Sequence, residues 1–281
     1  MRGKVVVITG GTSGIGEVAA LRLAAMGARI VLVARDPDRA AATLVRLRRA
    51  NPDARHGLYY ADLAGIAATR VVAAEIAASE PRIDVLVNNA GALFNSRRLS
   101  PEGLEMTFAV NHMAYFVMTQ GLIERLKASA PARIVNTASG AHFGAKLDFD
   151  DLQSERAYSG FGVYGKSKLA NVLFTRELAR RLAGSGVTAN CLHPGFVATR
   201  FGDRSGGLFQ AVMPVAKLGA LSPEKGAETL IHLASSADVE GKTGLYFYKC
   251  AAQPPSAEAQ DDAAAARLWT ESEKLARVAA G

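Results

Sequence analysis

Cysteine is nearly absent, with Cys191 and Cys250 the only two in 281 residues. Two thiols make neither the disulfide framework of a small secreted domain nor a four-ligand zinc site of the usual kind, so the chain reads as reduced and cytoplasmic. Long apolar runs are missing too. Val5-Val6-Val7-Ile8 is too short for a signal peptide or a membrane span, and no later segment approaches the roughly 18 unbroken apolar residues that a span needs. The net charge is +7, but the arginines are dispersed, and no zinc-finger spacing or RNP-type aromatic motif accompanies them. Their densest group, Arg46, Arg48 and Arg49, falls on one amphipathic helical segment. A solvated basic face accounts for that charge, and nucleic acid is not an expected partner. Proline- and glycine-rich linkers and composition breaks are absent as well, so residues 1–281 read as a single domain.

Apolar residues are plentiful, at 49%. A chain of this length can bury on the order of 75% of its unfolded surface, which excludes general disorder. Short β-rich runs at 4–9, 28–34, 55–60, 83–88, 132–138 and 187–193 alternate with segments of helical spacing. Strands alternating with helices predict βαβ units on a parallel sheet. Asp36-Pro37, Ser100-Pro101-Glu102 and Ser222-Pro223-Glu224 each place a cap before a proline at an expected helix start. After residue 195 the pattern loosens into a Gly-rich apolar stretch (201–218), a helix (223–235) and a short strand around Leu245-Tyr246-Phe247. A last helix begins near Asp261-Asp262 and carries Leu268, Trp269 and Leu275.

The first strand ends in Thr9-Gly10-Gly11-Thr12-Ser13-Gly14-Ile15-Gly16, and a helical segment follows. Such a turn lets the backbone approach a pyrophosphate and aims free N–H groups and the helix dipole at it. A P-loop is excluded, because Glu17 and Val18 stand where Lys and Ser/Thr are required. The second strand ends at Ala34, followed by Arg35 and Asp36. Asp36 reads as the cap of the next helix, which leaves Arg35, helped by Arg39, to face the adenosine end of a dinucleotide. Guanidinium forks suit phosphate oxygens, so NADP(H) is expected over NAD(H).

Tyr164-Gly165-Lys166-Ser167-Lys168 opens a long helical segment. Residues four apart stack on one helix face, so Tyr164 and Lys168 point the same way. A neighbouring cation favours phenolate and brings a phenol toward general acid/base work. Ile134-Val135-Asn136-Thr137-Ala138-Ser139 delivers Ser139 at the C-terminal end of a strand, where ligands bind in open α/β sheets. Val87-Asn88-Asn89-Ala90-Gly91 ends the preceding strand, and Val110-Asn111-His112 falls inside the helix between the two.

In order and placement these segments resemble the short-chain dehydrogenase/reductase family. The resemblance implies a single-domain Rossmann fold, a doubly wound parallel sheet of strand order 3-2-1-4-5-6-7 flanked by helices. It places a catalytic tetrad on Asn111, Ser139, Tyr164 and Lys168. Tyr164 would exchange a proton with the substrate oxygen, which Ser139 also binds. Lys168 would lower the tyrosine pKa and hold the nicotinamide ribose, and Asn111 would support a water-linked proton path to Lys168. Cofactor contacts would fall on Gly10, Thr12, Ser13, Gly14, Ile15 and Gly16, on Arg35, on the adenine-side pair Asp62 and Leu63, and on Asn88, Asn89, Ala90 and Gly91. Pro194, Gly195, Val197 and Thr199 match the segment that turns over the nicotinamide carboxamide. The implied activity is NADP(H)-dependent interconversion of a carbonyl and an alcohol, on a lipophilic aldehyde or ketone. Reduction of C=C by the same Tyr/Lys pair and a non-catalytic NADP-sensing protein are the alternatives. Relatives often form homo-oligomers through the helices after strands four and five.

Ser139 and Tyr164 stand 25 positions apart, twice the usual spacing. Ala141-His142, Phe149-Asp150-Asp151-Leu152, Tyr158, Ser167-Lys168-Leu169-Ala170-Asn171, Leu192-His193-Pro194-Gly195 and Arg267-Leu268-Trp269 make the chain similar to the retinol-dehydrogenase-like branch. The vertebrate retinol enzymes carry an N-terminal membrane anchor that this sequence does not show, so the branch does not by itself imply a retinoid substrate. His112, His142 and His193 fit no metal spacing and are expected in local hydrogen bonds. Cys191 is expected to be a buried filler. A substrate lid is expected at about 196–222, with Leu208-Phe209-Gln210-Ala211-Val212-Met213 either at its centre or forming an ordinary core helix. Phe143, Phe161 and Phe196 would join it around an apolar pocket.

Overall fold

The computed structural model describes residues 1–197 and 221–278. Thr199 and most of the expected lid, Phe209 included, lie outside these residues. Eight strands form one sheet: β1 (Val5–Thr9), β2 (Arg29–Ala34), β3 (Gly57–Tyr60), β4 (Val85–Asn88), β5 (Ala132–Thr137), β6 (Val187–His193), β7 (Tyr246–Tyr248) and β8 (Ala251–Gln253). Their order is β3-β2-β1-β4-β5-β6-β7-β8. The first seven are parallel and follow the expected order, while β8 pairs antiparallel with β7. The sequence reading does not include β8. Its hairpin turns at Lys249 and Cys250, both at positive φ (49° and 62°), where Gly or Asn would have signalled a turn.

Seven helices among the described residues cover the two faces. On one side lie α1 (Gly14–Ala25), α2 (Pro37–Ala50) and α6 (Pro223–Ser235), whose apolar faces pack with Val6, Ile8, Ile30 and Leu32. On the other lie α3 (Ile66–Ser79), α4 (Ala114–Ala128), α5 (Gly160–Arg181) and α7 (Asp262–Val278), packed with Val7, Val31, Leu86 and Ile134. Alternate residues of each central strand therefore serve opposite cores, which is why these strands are apolar without interruption.

Asp36 and Ser222 cap α2 and α6 as expected, accepting hydrogen bonds from the N–H groups of Arg39 (3.1 Å) and Lys225 (3.3 Å). Ser100-Pro101-Glu102 does not start a helix. Gly103, at φ +80°, closes a turn by donating its N–H to the Ser100 carbonyl, and Glu105 caps the helical turn that begins at Met106. Asn111 also departs from expectation. It sits in a π-helical turn, Ala109–Met113, that leads into α4. Such turns insert one extra residue and often mark functional sites.

Candidate active site

The glycine turn is built by contact with the end of β4. Thr9 Oγ1 accepts hydrogen bonds from the N–H groups of Asn89 (2.9 Å) and Ala90 (3.1 Å), and Asn89 Nδ2 donates to the Gly10 carbonyl at 3.2 Å. Gly10 adopts φ +68°, and a Cβ there would lie 2.8 Å from the Ala90 Cα. A Cβ on Gly16 would lie 2.4 Å from the Gly10 carbonyl oxygen. Side chains are thus excluded where the turn meets α1. The side chain of Ser13, at the N-cap of α1, accepts no hydrogen bond from the helix. The first N–H groups of α1 therefore keep donors and dipole for an anion, and the cradle fits the pyrophosphate of a dinucleotide.

Two guanidinium groups flank that cradle. Arg39 Nη2 donates to the Thr12 carbonyl at 3.2 Å, and Arg35 stands 3.7 Å from the carboxylate of Asp62, with both side chains more than half exposed. An exposed ion pair of this kind contributes about 0–1 kcal/mol, so Arg35 is free to turn to a better anion. Ala34, at the end of β2, offers no carboxylate to a ribose.

The tetrad residues converge at the C-terminal ends of β4 and β5. Tyr164 and Lys168 lie one turn apart on α5, with Lys168 Nζ 5.6 Å from the centre of the Tyr164 ring. Ser139 Oγ accepts the N–H of Ala141 at 3.2 Å and lies close enough to the Tyr164 hydroxyl to favour its ionised form. Burial pushes the Tyr164 phenol up to about 12, against the Ser139 hydrogen bond that pulls it down. Burial likewise pushes Lys168 down to about 7. Nζ donates to the Thr137 carbonyl at 2.9 Å. Asn111 is held by both edges of its amide: Oδ1 accepts from Ala92 N–H (2.8 Å), and Nδ2 donates to Ala92 O and Ser167 Oγ (both 2.9 Å). It borders the same space as Lys168, since a Cβ on Gly91 would lie 3.2 Å from Asn111 Oδ1 and 3.6 Å from Lys168 Nζ.

The histidines are engaged in hydrogen bonds, though those of His112 and of His142 Nε2 reach residues far along the chain rather than local ones. His142 Nδ1 donates to the Ser139 carbonyl (2.6 Å) while its Nε2 accepts Ser256 N–H (3.1 Å). His112 meets Ser272 of α7 at 2.8 Å, and Gly195 donates its N–H to His193 Nδ1 at 3.3 Å. Burial pushes His112 and His193 down to about 4. Cys191 is buried and its thiol is pushed up to about 12. Among the described residues no group of His, Cys, Asp and Glu could hold a metal ion.

Asn136, Thr175 and Asn171 are given no role by sequence reasoning, and Asn88, expected at the cofactor, is instead fully buried in a polar network. Asn88 Nδ2 donates to Asn136 Oδ1 (2.9 Å), and Asn136 Nδ2 donates to Thr175 (3.0 Å), forming a buried polar ladder from β4 to α5. Asn171 Nδ2 donates to the same Thr137 carbonyl as Lys168, at 3.3 Å. Its position three residues past Lys168, on one helix face, is the signal that could have found it. Phe143, Phe161 and Phe196 are each more than half exposed, and the Phe161 ring lies 6.4 Å from that of Tyr164.

A phosphate cradle on the first strand and a half-buried Tyr beside a buried Lys at the sheet's C-terminal edge define a dinucleotide-binding oxidoreductase. A family model for short chain dehydrogenases matches residues 4–206, and the chain belongs to that family. It falls in the retinol-dehydrogenase-like branch: it is 40% identical to human Retinol dehydrogenase 13 over 279 residues, covering 97% of this chain and 84% of that protein. Of solved structures, an uncharacterized protein from Mycobacterium Paratuberculosis superposes with a TM-score of 0.78 at 30% identity, covering 98% of this chain and 94% of that one. The Pseudomonas aeruginosa RhlG/NADP active-site complex gives a TM-score of 0.70 at 29% identity, covering 88% and 94%.

Proposed function

We propose that this oxidoreductase interconverts a carbonyl and an alcohol with NADP(H), acting on a lipophilic aldehyde or ketone through Asn111, Ser139, Tyr164 and Lys168. The observation that carries this reading is Tyr164, half-buried, beside Ser139 and one helical turn from Lys168. When bound, the nicotinamide supplies a hydride to the substrate carbon. Tyr164 is protonated at neutral pH and so donates to the oxygen of a carbonyl, while Ser139 offers a second donor to the same oxygen. Lys168 stabilises the phenolate left behind, and Asn111, locked to Ala92, gives water a fixed acceptor beside Lys168. Lys168, whose Nζ lies 3.6 Å from where a Cβ on Gly91 would stand, is also placed to reach a ribose.

NADP(H) is supported by Ala34 in place of an acid, by Arg35 and Arg39 beside the cradle, and by NADP in the RhlG complex. A lipophilic substrate is supported by the three exposed phenylalanines and by a relative named for a lipophilic alcohol. The test is NADPH consumption against aldehydes and ketones running from short polar to long apolar, with NADH in parallel and Tyr164→Phe as the control. Turnover confined to NADPH, rising with chain length and lost in Tyr164→Phe, is expected. Tight NADPH binding without turnover on any carbonyl would overturn the proposal in favour of C=C reduction or sensing.

A further inference from the structure

The ammonium of Lys168 lies in an interior with few anions. The groups that face it are the Thr137 carbonyl from β5, Asn111 from the π-turn, Tyr164 from its own helix and Tyr115 from α4. No carboxylate pairs with Lys168 among the described residues, and the nearby histidines, His112 and His142, are both pushed toward neutrality by burial. What the ammonium has instead is two aromatic faces. Nζ lies 5.6 Å from the centre of the Tyr115 ring and 5.6 Å from that of Tyr164. Both distances are within the range in which a ring quadrupole attracts a cation, and the attraction strengthens in a desolvated site. Tyr115 is 1% exposed, and its hydroxyl makes no hydrogen bond among the described residues. Of Tyr115, it is the ring that meets the ammonium.

We propose that Tyr115 is a positioning residue of this active site, its ring face holding Lys168 in the charged form and in place beside Tyr164. The inference rests on the proposed acid/base pair. With the second ring removed, less opposes the desolvation of the ammonium, Lys168 loses its proton at lower pH, and Tyr164 loses the cation that stabilises its phenolate.

The test reads Lys168 directly and needs no substrate. In protein carrying 13C at lysine Cε, the Lys168 resonance is assigned by its absence from Lys168→Met and then followed through a pH titration. Tyr115→Leu, or Tyr115→Met if the leucine variant does not fold, is expected to lower the midpoint by about one pH unit. Tyr115→Phe, which keeps the ring, is expected to hold the wild-type midpoint. An unmoved Lys168 midpoint in Tyr115→Leu or Tyr115→Met, or a fall in Tyr115→Phe as large as theirs, overturns the inference. Turnover surviving in Tyr164→Phe would instead overturn the acid/base reading, so the two failures are separable.

Discussion

Lys168 combines near-complete burial with a titratable charge, and the thermodynamic consequence has a definite sign. Its pKa is near 7 in the folded protein and near the ordinary lysine value when unfolded, so the unfolded chain binds more protons between those values. Burying the ammonium therefore destabilises the fold fully below pH 7, and the penalty fades as pH rises toward about 10.4. Lys168→Met should remove it, since Asn171 still satisfies the Thr137 carbonyl. Urea titrations should show the variant more stable by about 2–4 kcal/mol at pH 6, with the gap closing toward pH 10, while turnover is lost. Equal stability at both pH values would contradict this. For Tyr164, burial keeps the proton on at neutral pH, which suits donation to a carbonyl. Carbonyl reduction should hold its rate near pH 7 and fall only in alkali, while alcohol oxidation should rise with pH, as rate profiles in both directions would show.

At the scale of elements, the glycine turn and α7 carry the sharpest consequences. Gly16→Ala places a methyl against the Gly10 carbonyl, which is backbone and cannot swing away. Fluorescence titration should find NADPH binding weakened at least tenfold, with stability reduced as well. Helix α7 clamps the other face of the site. Trp269 stacks on Phe174 of α5 at 5.8 Å and meets Phe116 of α4 edge-on at 5.1 Å, while Ser272 takes the His112 ring next to Asn111. Trp269→Ala should cost about 3–5 kcal/mol in chemical denaturation, as removal of a buried large aromatic does. That the π-turn bearing Asn111 depends on a helix 160 positions away was not legible in the sequence. Local spacing around Val110-Asn111-His112 reads as continuous helix, because a segment buried on nearly every side has no amphipathic period for the extra residue of a π-turn to interrupt.

Over the whole molecule, ligand binding and folding are linked, because the cradle and the tetrad draw on β1, β2, β4, β5 and α5 together. NADPH at a hundredfold excess over its Kd should raise stability by about 2.7 kcal/mol, seen as a higher Tm. Arg35→Ala should weaken NADPH binding roughly 10- to 100-fold, as loss of a charge-assisted hydrogen bond does, and leave NADH nearly unchanged. Matched losses for the two cofactors would remove Arg35 from 2′-phosphate recognition. No helix among the described residues is long and apolar enough to cross a membrane.

The sequence alone determined the strand–helix alternation and the Tyr164–Lys168 pairing, through unbroken apolar runs, caps before prolines, a glycine turn and two residues four apart on a helix. The order of the first seven strands and the proposed tetrad came from the family resemblance, not from local pattern. The turn at Ser100 misled because the same Ser-Pro signal serves a β-turn, and Gly103 decided between them. Tertiary structure alone decided the pairing of β8, the seat of Asn111 in a π-turn, the Asn88–Asn136–Thr175 ladder, and the two rings around Lys168. The ladder, the His112–Ser272 tie beside Asn111 and the Tyr115–Lys168 contact join residues tens of positions apart, whereas the β7–β8 hairpin turns at Lys249 and Cys250 with no Gly or Asn to announce it. A contact across the sheet or between helices leaves no periodicity in the chain, and its energy exists only once the core has closed around it.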